Sequence, residues 1–210
     1  MSLFSLSNLN FNNMIHYSKI EMEENKATFI LGKSGTGKST LLKLLNASVS
    51  PMHGEILYKN KPLIQYDTIA LRREITLVSQ SVFLFDDTIR NNFAEFYHYR
   101  ELPPPNESTI LTYLQICRAD FPLETTCQEM SGGERQRIFL AICLSFMPKV
   151  LLLDEPTSAL DEHTSKMLME NLKRYCKEKS ITLIVVSHDK LLAERYADEI
   201  INLDSEVQHE

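Results

Sequence analysis

The sequence predicts an α/β protein, in which an open and mostly parallel sheet is flanked by helices. Three observations predict it. A glycine-rich loop, Gly32-Lys33-Ser34-Gly35-Thr36-Gly37-Lys38-Ser39-Thr40, lies between an apolar run and a helical pattern. Apolar, β-favouring runs alternate with helical stretches, the order that produces parallel strands. Between Asn91 and Met147 the β signature lapses, and a mostly helical segment intervenes. The expected organisation is a single unit over residues 1–210. Residues 1–90 and 148–210 would form its core together with an N-terminal antiparallel β-subdomain. Residues 91–147 would form an inserted helical subdomain.

Each element has its own signal. Residues 3–9 alternate apolar and polar, as a half-buried strand does, and residues 15–22 form a second candidate strand. Glu23-Glu24-Asn25-Lys26 reads as a turn into Ala27-Thr28-Phe29-Ile30-Leu31, a buried strand. After the glycine loop, leucines at 41, 42, 44 and 45 recur at helical spacing. Pro51-Met52-His53-Gly54 ends that region, and Glu55-Ile56-Leu57-Tyr58 with Lys59-Asn60-Lys61-Pro62 suggests a strand and turn. Ile75-Thr76-Leu77-Val78-Ser79 is another short strand, closed by Gln80. Within the insertion, Pro103-Pro104-Pro105 forces a loop or extended link. Val150-Leu151-Leu152-Leu153 is the continuous apolar run of a strand covered on both faces. A helix over 162–178, a buried strand over 181–186 and a helix over 190–196 complete the series.

Composition excludes several classes. The chain has 210 residues, 43% hydrophobic and 24% charged, which suits a globular protein with a buried core. A net charge of -6 and the lack of any basic run argue against nucleic acid as a partner. Met1-Ser2-Leu3-Phe4-Ser5 has no basic region leading into a long apolar stretch, so no signal peptide is expected. The apolar stretches fall short of a membrane span, so a membrane role would act through a partner subunit. Cys117, Cys127, Cys143 and Cys176 show no C-x-x-C pairing and read as inert thiols in a reducing cytosol.

The chemistry concentrates in two places. The glycine loop fits G-x-x-x-x-G-K-[ST], and its strand and helix flanks supply the required context. Its glycines let the backbone wrap, so that N–H groups from about Gly35 to Thr40 can face an anion at the positive end of a helix dipole. Lys38 can reach β- and γ-phosphates, and the Ser39 hydroxyl can bind Mg²⁺. The second place is the end of the apolar strand, Asp154-Glu155. A strand beside the loop would set Asp154 near the Mg²⁺ shell and let Glu155 polarise an attacking water.

Met130-Ser131-Gly132-Gly133-Glu134 resembles L-S-G-G-Q, the signature of ATP-binding cassette (ABC) proteins, with Met for Leu and Glu in the last place. Gln80 after its strand resembles the Q-loop, Ser158-Ala159-Leu160-Asp161 the D-loop, and His188 the switch histidine. The resemblance runs from Leu3 to about Ile201. It implies an ABC cassette with a P-loop, RecA-like core, hydrolysing ATP with Mg²⁺. It implies that Gly32 to Thr40 bind nucleotide, that Ser39, Gln80 and Asp154 serve the metal, and that Lys38, Gln80, Glu155 and His188 serve catalysis. It also implies a head-to-tail homodimer in which Ser131 and Gly133 of one subunit complete the other's site. The helical insertion would carry the groove for a membrane permease, holding the chain at the inner face of the cell membrane. Such cassettes stack adenine on an aromatic upstream of the loop; Phe11 is the candidate and Tyr17 the alternative.

The stretch Phe83-Leu84-Phe85-Asp86-Asp87-Thr88-Ile89-Arg90-Asn91-Asn92 after Gln80 resembles the L-F-x-x-T-I-x-x-N stretch of exporter cassettes. Phe146-Met147-Pro148-Lys149, leading into Asp154, is similar to bacterial ATPase subunits assigned to iron export. The competing expectation is a soluble ABC-type ATPase uncoupled from transport. DNA-repair members of that type insert long coiled coils, and this insertion has a triple-proline break and no sustained heptads.

Overall fold

A computed structural model describes residues 2–12 and 15–208. Strands β1 (Ser2–Phe11), β2 (Ile15–Glu23) and β3 (Ala27–Leu31) lead to helix α1 (Lys38–Leu45). Strands β4 (His53–Tyr58) and β5 (Lys61–Pro62), helix α2 (Thr68–Glu74) and strand β6 (Ile75–Val78) follow. Helices α3 (Ile89–Tyr99), α4 (Glu107–Ile116) and α5 (Gly132–Ser145) then separate β6 from β7 (Val150–Asp154). The chain closes with α6 (Glu162–Glu178), β8 (Thr182–Val186), α7 (Lys190–Tyr196), β9 (Glu199–Asn202), α8 (Leu203–Glu206) and β10 (Val207–Gln208).

Among the described residues these strands form two sheets. One is antiparallel, in the order β10-β2-β1-β4-β5, and the other is parallel, in the order β6-β7-β8-β3-β9. The parallel sheet is the middle layer, and its side-chain alternation divides the interior into two cores. Phe29, Leu151, Leu153, Leu183 and Val185 point into a core shared with α3, α4, α5, α6 and α7. Their neighbours Ile30, Val150, Leu152, Ile184 and Val186 point into a second core with α1 and the antiparallel sheet. All five residues of β7 and of β8 are buried, which is why Val150 to Leu153 and Leu183 to Val186 read as apolar runs. Burying a leucine or valine on either face contributes about 1.5–3 kcal/mol, so the sheet is tied to both layers.

Several short elements differ from expectation, α8 and β10 at the end of the described chain among them. Helix α2 was not foreseen: Asp67 caps it by accepting from the Ala70 N–H, but Leu71 is its one buried residue and Ile69 is 68% exposed. Its apolar period is too weak to see. Strand β9 was not foreseen either; it is a short edge strand paired only with β3, and Ile200 stays exposed. The first helix of the insertion begins at Ile89, because Thr88 caps it by accepting from the Asn91 N–H.

Candidate functional site

The parallel strands converge on one cleft of about 420 Å³, lined by Gly32, Ser34, Gly35, Gly37, Lys38, Ser39, Thr40, Gln80, Glu155 and His188, with Ile15 beside them. Gly32 follows β3, Gln80 follows β6, Glu155 follows β7 and His188 follows β8. A parallel sheet presents the carboxyl ends of all its strands on one side, so residues far apart in sequence meet there.

The loop is bound to itself. Lys38 Nζ donates to the Gly32 and Lys33 carbonyls, both at 2.8 Å, and Thr36 Oγ1 donates to the Lys33 carbonyl at 3.0 Å. Gly37 has φ 89° and ψ 11° and begins α1 with no side-chain cap, so the first N–H groups of that helix are left for a ligand. A Cβ at Gly35 would meet nothing within 4 Å, so the loop opens outward there.

Beneath the loop, Ser39 Oγ donates to Asp154 Oδ1 at 3.0 Å. Burial raises the Asp154 carboxyl above its ordinary value, and the Ser39 hydrogen bond pulls it partly back. A buried carboxylate with a hydroxyl and the nearby Gln80 amide is a set of hard oxygen donors. It suits Mg²⁺, which takes few protein ligands and completes its shell with water and phosphate. Among the described residues no group of three or more His, Cys, Asp or Glu could hold a metal by itself.

Glu155 has a left-handed backbone, φ 49°, which costs a residue with a side chain about 1–3 kcal/mol. Its N–H donates to the Val186 carbonyl at 3.0 Å, which holds the turn. Glu155 Oε2 lies 3.7 Å from His188 Nδ1, and the His188 side chain is 67% exposed.

Lys33 and Thr36 of the loop and Asp154 beneath it do not line the cleft, and neither do Phe11, Ser131 and Gly133. Ser131 begins α5, and its hydroxyl donates to Glu134 Oε2 at 2.7 Å within a reciprocal capping box. Those contacts hold the Glu134 carboxyl below its usual range. Gly133 is buried against Ala159, where an added Cβ would lie 3.2 Å from that side chain. Phe11 is half-buried in the second core and pairs across the hairpin with Ile15. Tyr17 cannot be the adenine platform: it is 1% exposed, and its hydroxyl donates to the Gly37 carbonyl at 2.7 Å. Asp161, from the Ser158-Ala159-Leu160-Asp161 stretch, caps α6 by accepting from the Thr164 N–H.

Sequence reasoning missed two supports of the loop. One is Tyr17. The other is Asp204, whose Oδ1 accepts from the Lys33 N–H at 2.9 Å across 171 residues. No local pattern marks either.

The model of the family described as ABC transporter matches residues 15–158, most of the chain. The chain belongs to the ABC transporter family. It is an ABC ATPase, of the ATP-binding subunit type. The cassette is 36% identical over 199 residues to the "Probable iron export ATP-binding protein FetA" of Escherichia coli (strain K12), covering 94% of this chain and 84% of that protein. Its fold matches a bacterial Atm1-family ABC exporter with ATP bound at TM-score 0.85 and 26% identity, over 96% of the cassette and 37% of the exporter. It also matches the ATP-binding cassette MJ0796, a dimer in a post-hydrolysis state bound to ADP and Pi, at TM-score 0.81 and 26% identity. That match covers 95% of this chain and 93% of the other. Among the described residues no helix of the cassette is long and apolar enough to cross a membrane.

Proposed function

We propose that this cassette hydrolyses MgATP within a head-to-tail homodimer and so drives export of iron, or of another metal, through a separate integral membrane permease. It would sit on the cytoplasmic side, held at the inner face of the cell membrane by that permease. Residues 1–90 and 148–210 would act as the ATP-binding core, and 91–147 as the helical subdomain facing the permease.

The observation that carries this reading is the single cleft in which Lys38, Ser39, Gln80, Glu155 and His188 meet while Ser131 stays outside it. Gly32 to Thr40 cradle the phosphates, and Lys38 offers them an ammonium group. Ser39, Gln80 and Asp154 would hold Mg²⁺, which neutralises charge on the β- and γ-phosphates. Glu155 accepts the proton of the attacking water, and His188 steadies the γ-phosphate side of the site. Ser131 and Gly133 of a second copy close the cleft. Phe11, across the hairpin from Ile15, is the candidate for the base.

One observation favours a membrane partner over the uncoupled ATPase. Phe83 and Tyr99 are 63% and 67% exposed, and both pack against Phe85 in the loop after Gln80. Exposed aromatics in a cluster mark an interaction surface. The iron assignment rests on the similarity to an iron export protein over nearly the whole chain. The test is whether the neighbouring reading frame encodes a multi-span membrane protein that co-purifies with this chain, then ATP-driven movement of Fe²⁺ in vesicles. Transport should vanish with Lys38→Ala. A complex that turns over ATP but moves no metal removes the iron reading, and failure to find any membrane partner favours the uncoupled ATPase.

A further inference from the structure

The phosphate loop is held from the antiparallel sheet by one hydroxyl. Tyr17 lies in β2, opposite Leu9 of β1 and Val207 of β10, and its ring is buried in the second core. From there the hydroxyl donates to the Gly37 carbonyl at 2.7 Å. The same carbonyl accepts from the Leu41 N–H at 2.8 Å, so both of its lone pairs are used. Burial pushes the phenol well above its ordinary value, which keeps the proton on the oxygen as a donor.

The consequence follows from peptide geometry. The Gly37 carbonyl and the Lys38 N–H belong to one peptide unit, and in a trans peptide they point in opposite directions. Gripping the carbonyl from the sheet therefore aims the Lys38 N–H away from the sheet, on the side where Lys38 lines the cleft. The contact is tight: a Cβ added at Gly37 would stand 2.6 Å from the Tyr17 hydroxyl and 2.9 Å from Ile15 Cγ2. Loop, hydroxyl and hairpin fit each other only with glycine at that position, where φ is 89°.

We propose that Tyr17 is a positioning residue for phosphate binding, fixing the Gly37–Lys38 peptide so that its N–H is ready before nucleotide arrives. This rests on the reading of the cleft as the nucleotide site. It assigns the second strand a part in binding affinity, in addition to its part in the core.

The decisive variant is Tyr17→Phe, which keeps the ring and removes the donor. Tyr66→Phe is the matched control, because the Tyr66 hydroxyl also donates to a backbone carbonyl at 2.7 Å, that of Tyr58, outside the cleft. Both variants should lose a similar, small amount of thermal stability. Only Tyr17→Phe should weaken ADP and ATP, each by about five- to tenfold, the size of one ordinary hydrogen bond. Equal nucleotide affinity in Tyr17→Phe and wild type would reduce the contact to a core hydrogen bond and overturn the proposal. Should Tyr17→Phe fail to fold, the wild-type chain labelled with ¹³C at the tyrosine ζ carbons carries the test. The Tyr17 resonance should move on adding ADP, and a resonance that stays put overturns the proposal. Wild-type protein that binds no ADP at all would instead overturn the reading of the cleft.

Discussion

The phosphate loop and the Ser131-Gly132-Gly133 turn are both helix N-termini, yet their donors are committed differently. Helix α1 starts at an uncapped Gly37, and the loop before it is held by Lys38, Thr36, Tyr17 and Asp204. Helix α5 starts with a closed capping box, in which the Ser131 hydroxyl and N–H both serve the Glu134 carboxylate. The first terminus is organised for an anion that one chain can bind alone. The second is satisfied as it stands, and in the proposed dimer it would have to exchange Glu134 for an incoming phosphate. Lesions at the first should therefore act within a monomer, and lesions at the second only when two chains meet.

The largest expected effect lies at the end of β7, in the cleft that the first terminus faces. Glu155 is held at the cleft by its turn, and its proposed partner is the water and not the loop. Glu155→Gln should keep ATP affinity and lose about 10²–10⁴-fold in turnover, the range of general-base catalysis. Phosphate release and ATP binding measured on one preparation decide it. Near-normal turnover would take Glu155 out of that role.

The next variant sharpens the contrast between the termini. With ATP and Mg²⁺, the Glu155→Gln chain should move from monomer to dimer on gel filtration, because the nucleotide that joins the subunits persists. Adding Ser131→Arg should abolish that shift and leave ATP affinity within about twofold, since Ser131 is remote from the chain's own cleft. A double variant that still dimerises would sink the role of Ser131 as a ligand supplied in trans.

The two termini were also unequally legible in the sequence. The loop and its flanks were readable because the constraint is local: glycines, a lysine and a helix start within nine residues. The buried strands were readable because two-sided burial leaves long apolar runs, Val150 to Leu153 in β7 and Leu183 to Val186 in β8. The capping box was partly hidden, since Ser131 and Glu134 at this spacing fit both a ligand site and an ordinary helix cap. Tyr17 shows the same limit. Residues 15–22 read as a strand, but the atom the Tyr17 hydroxyl meets depends on how hairpin and loop dock. That docking also overturned the alternative that Tyr17 stacks on adenine. Helix α2 and strand β9 stayed unseen because half-exposed short elements leave little periodic signal.

The smallest expected effect lies at Asp204, which grips the opposite end of the loop from Tyr17. Its carboxylate accepts from the Lys33 N–H and so steadies the loop, but it also puts a negative charge beside an anion site. The two influences oppose each other, and a single deletion would blur them. Asp204→Asn keeps an acceptor and removes the charge, so nucleotide affinity should rise slightly at low salt. Asp204→Ala removes both, so it should bind more weakly than Asp204→Asn by about two- to threefold, as an exposed hydrogen bond of about 0.5 kcal/mol allows. Raising ionic strength toward 1 M shortens the screening length to about 3 Å. There the charge effect should fade, Asp204→Asn should converge on wild type, and Asp204→Ala should stay weaker. Identical affinities for Asn and Ala at every salt concentration would mean that the Lys33 contact does not steady the loop, leaving Tyr17 as its proposed outside anchor.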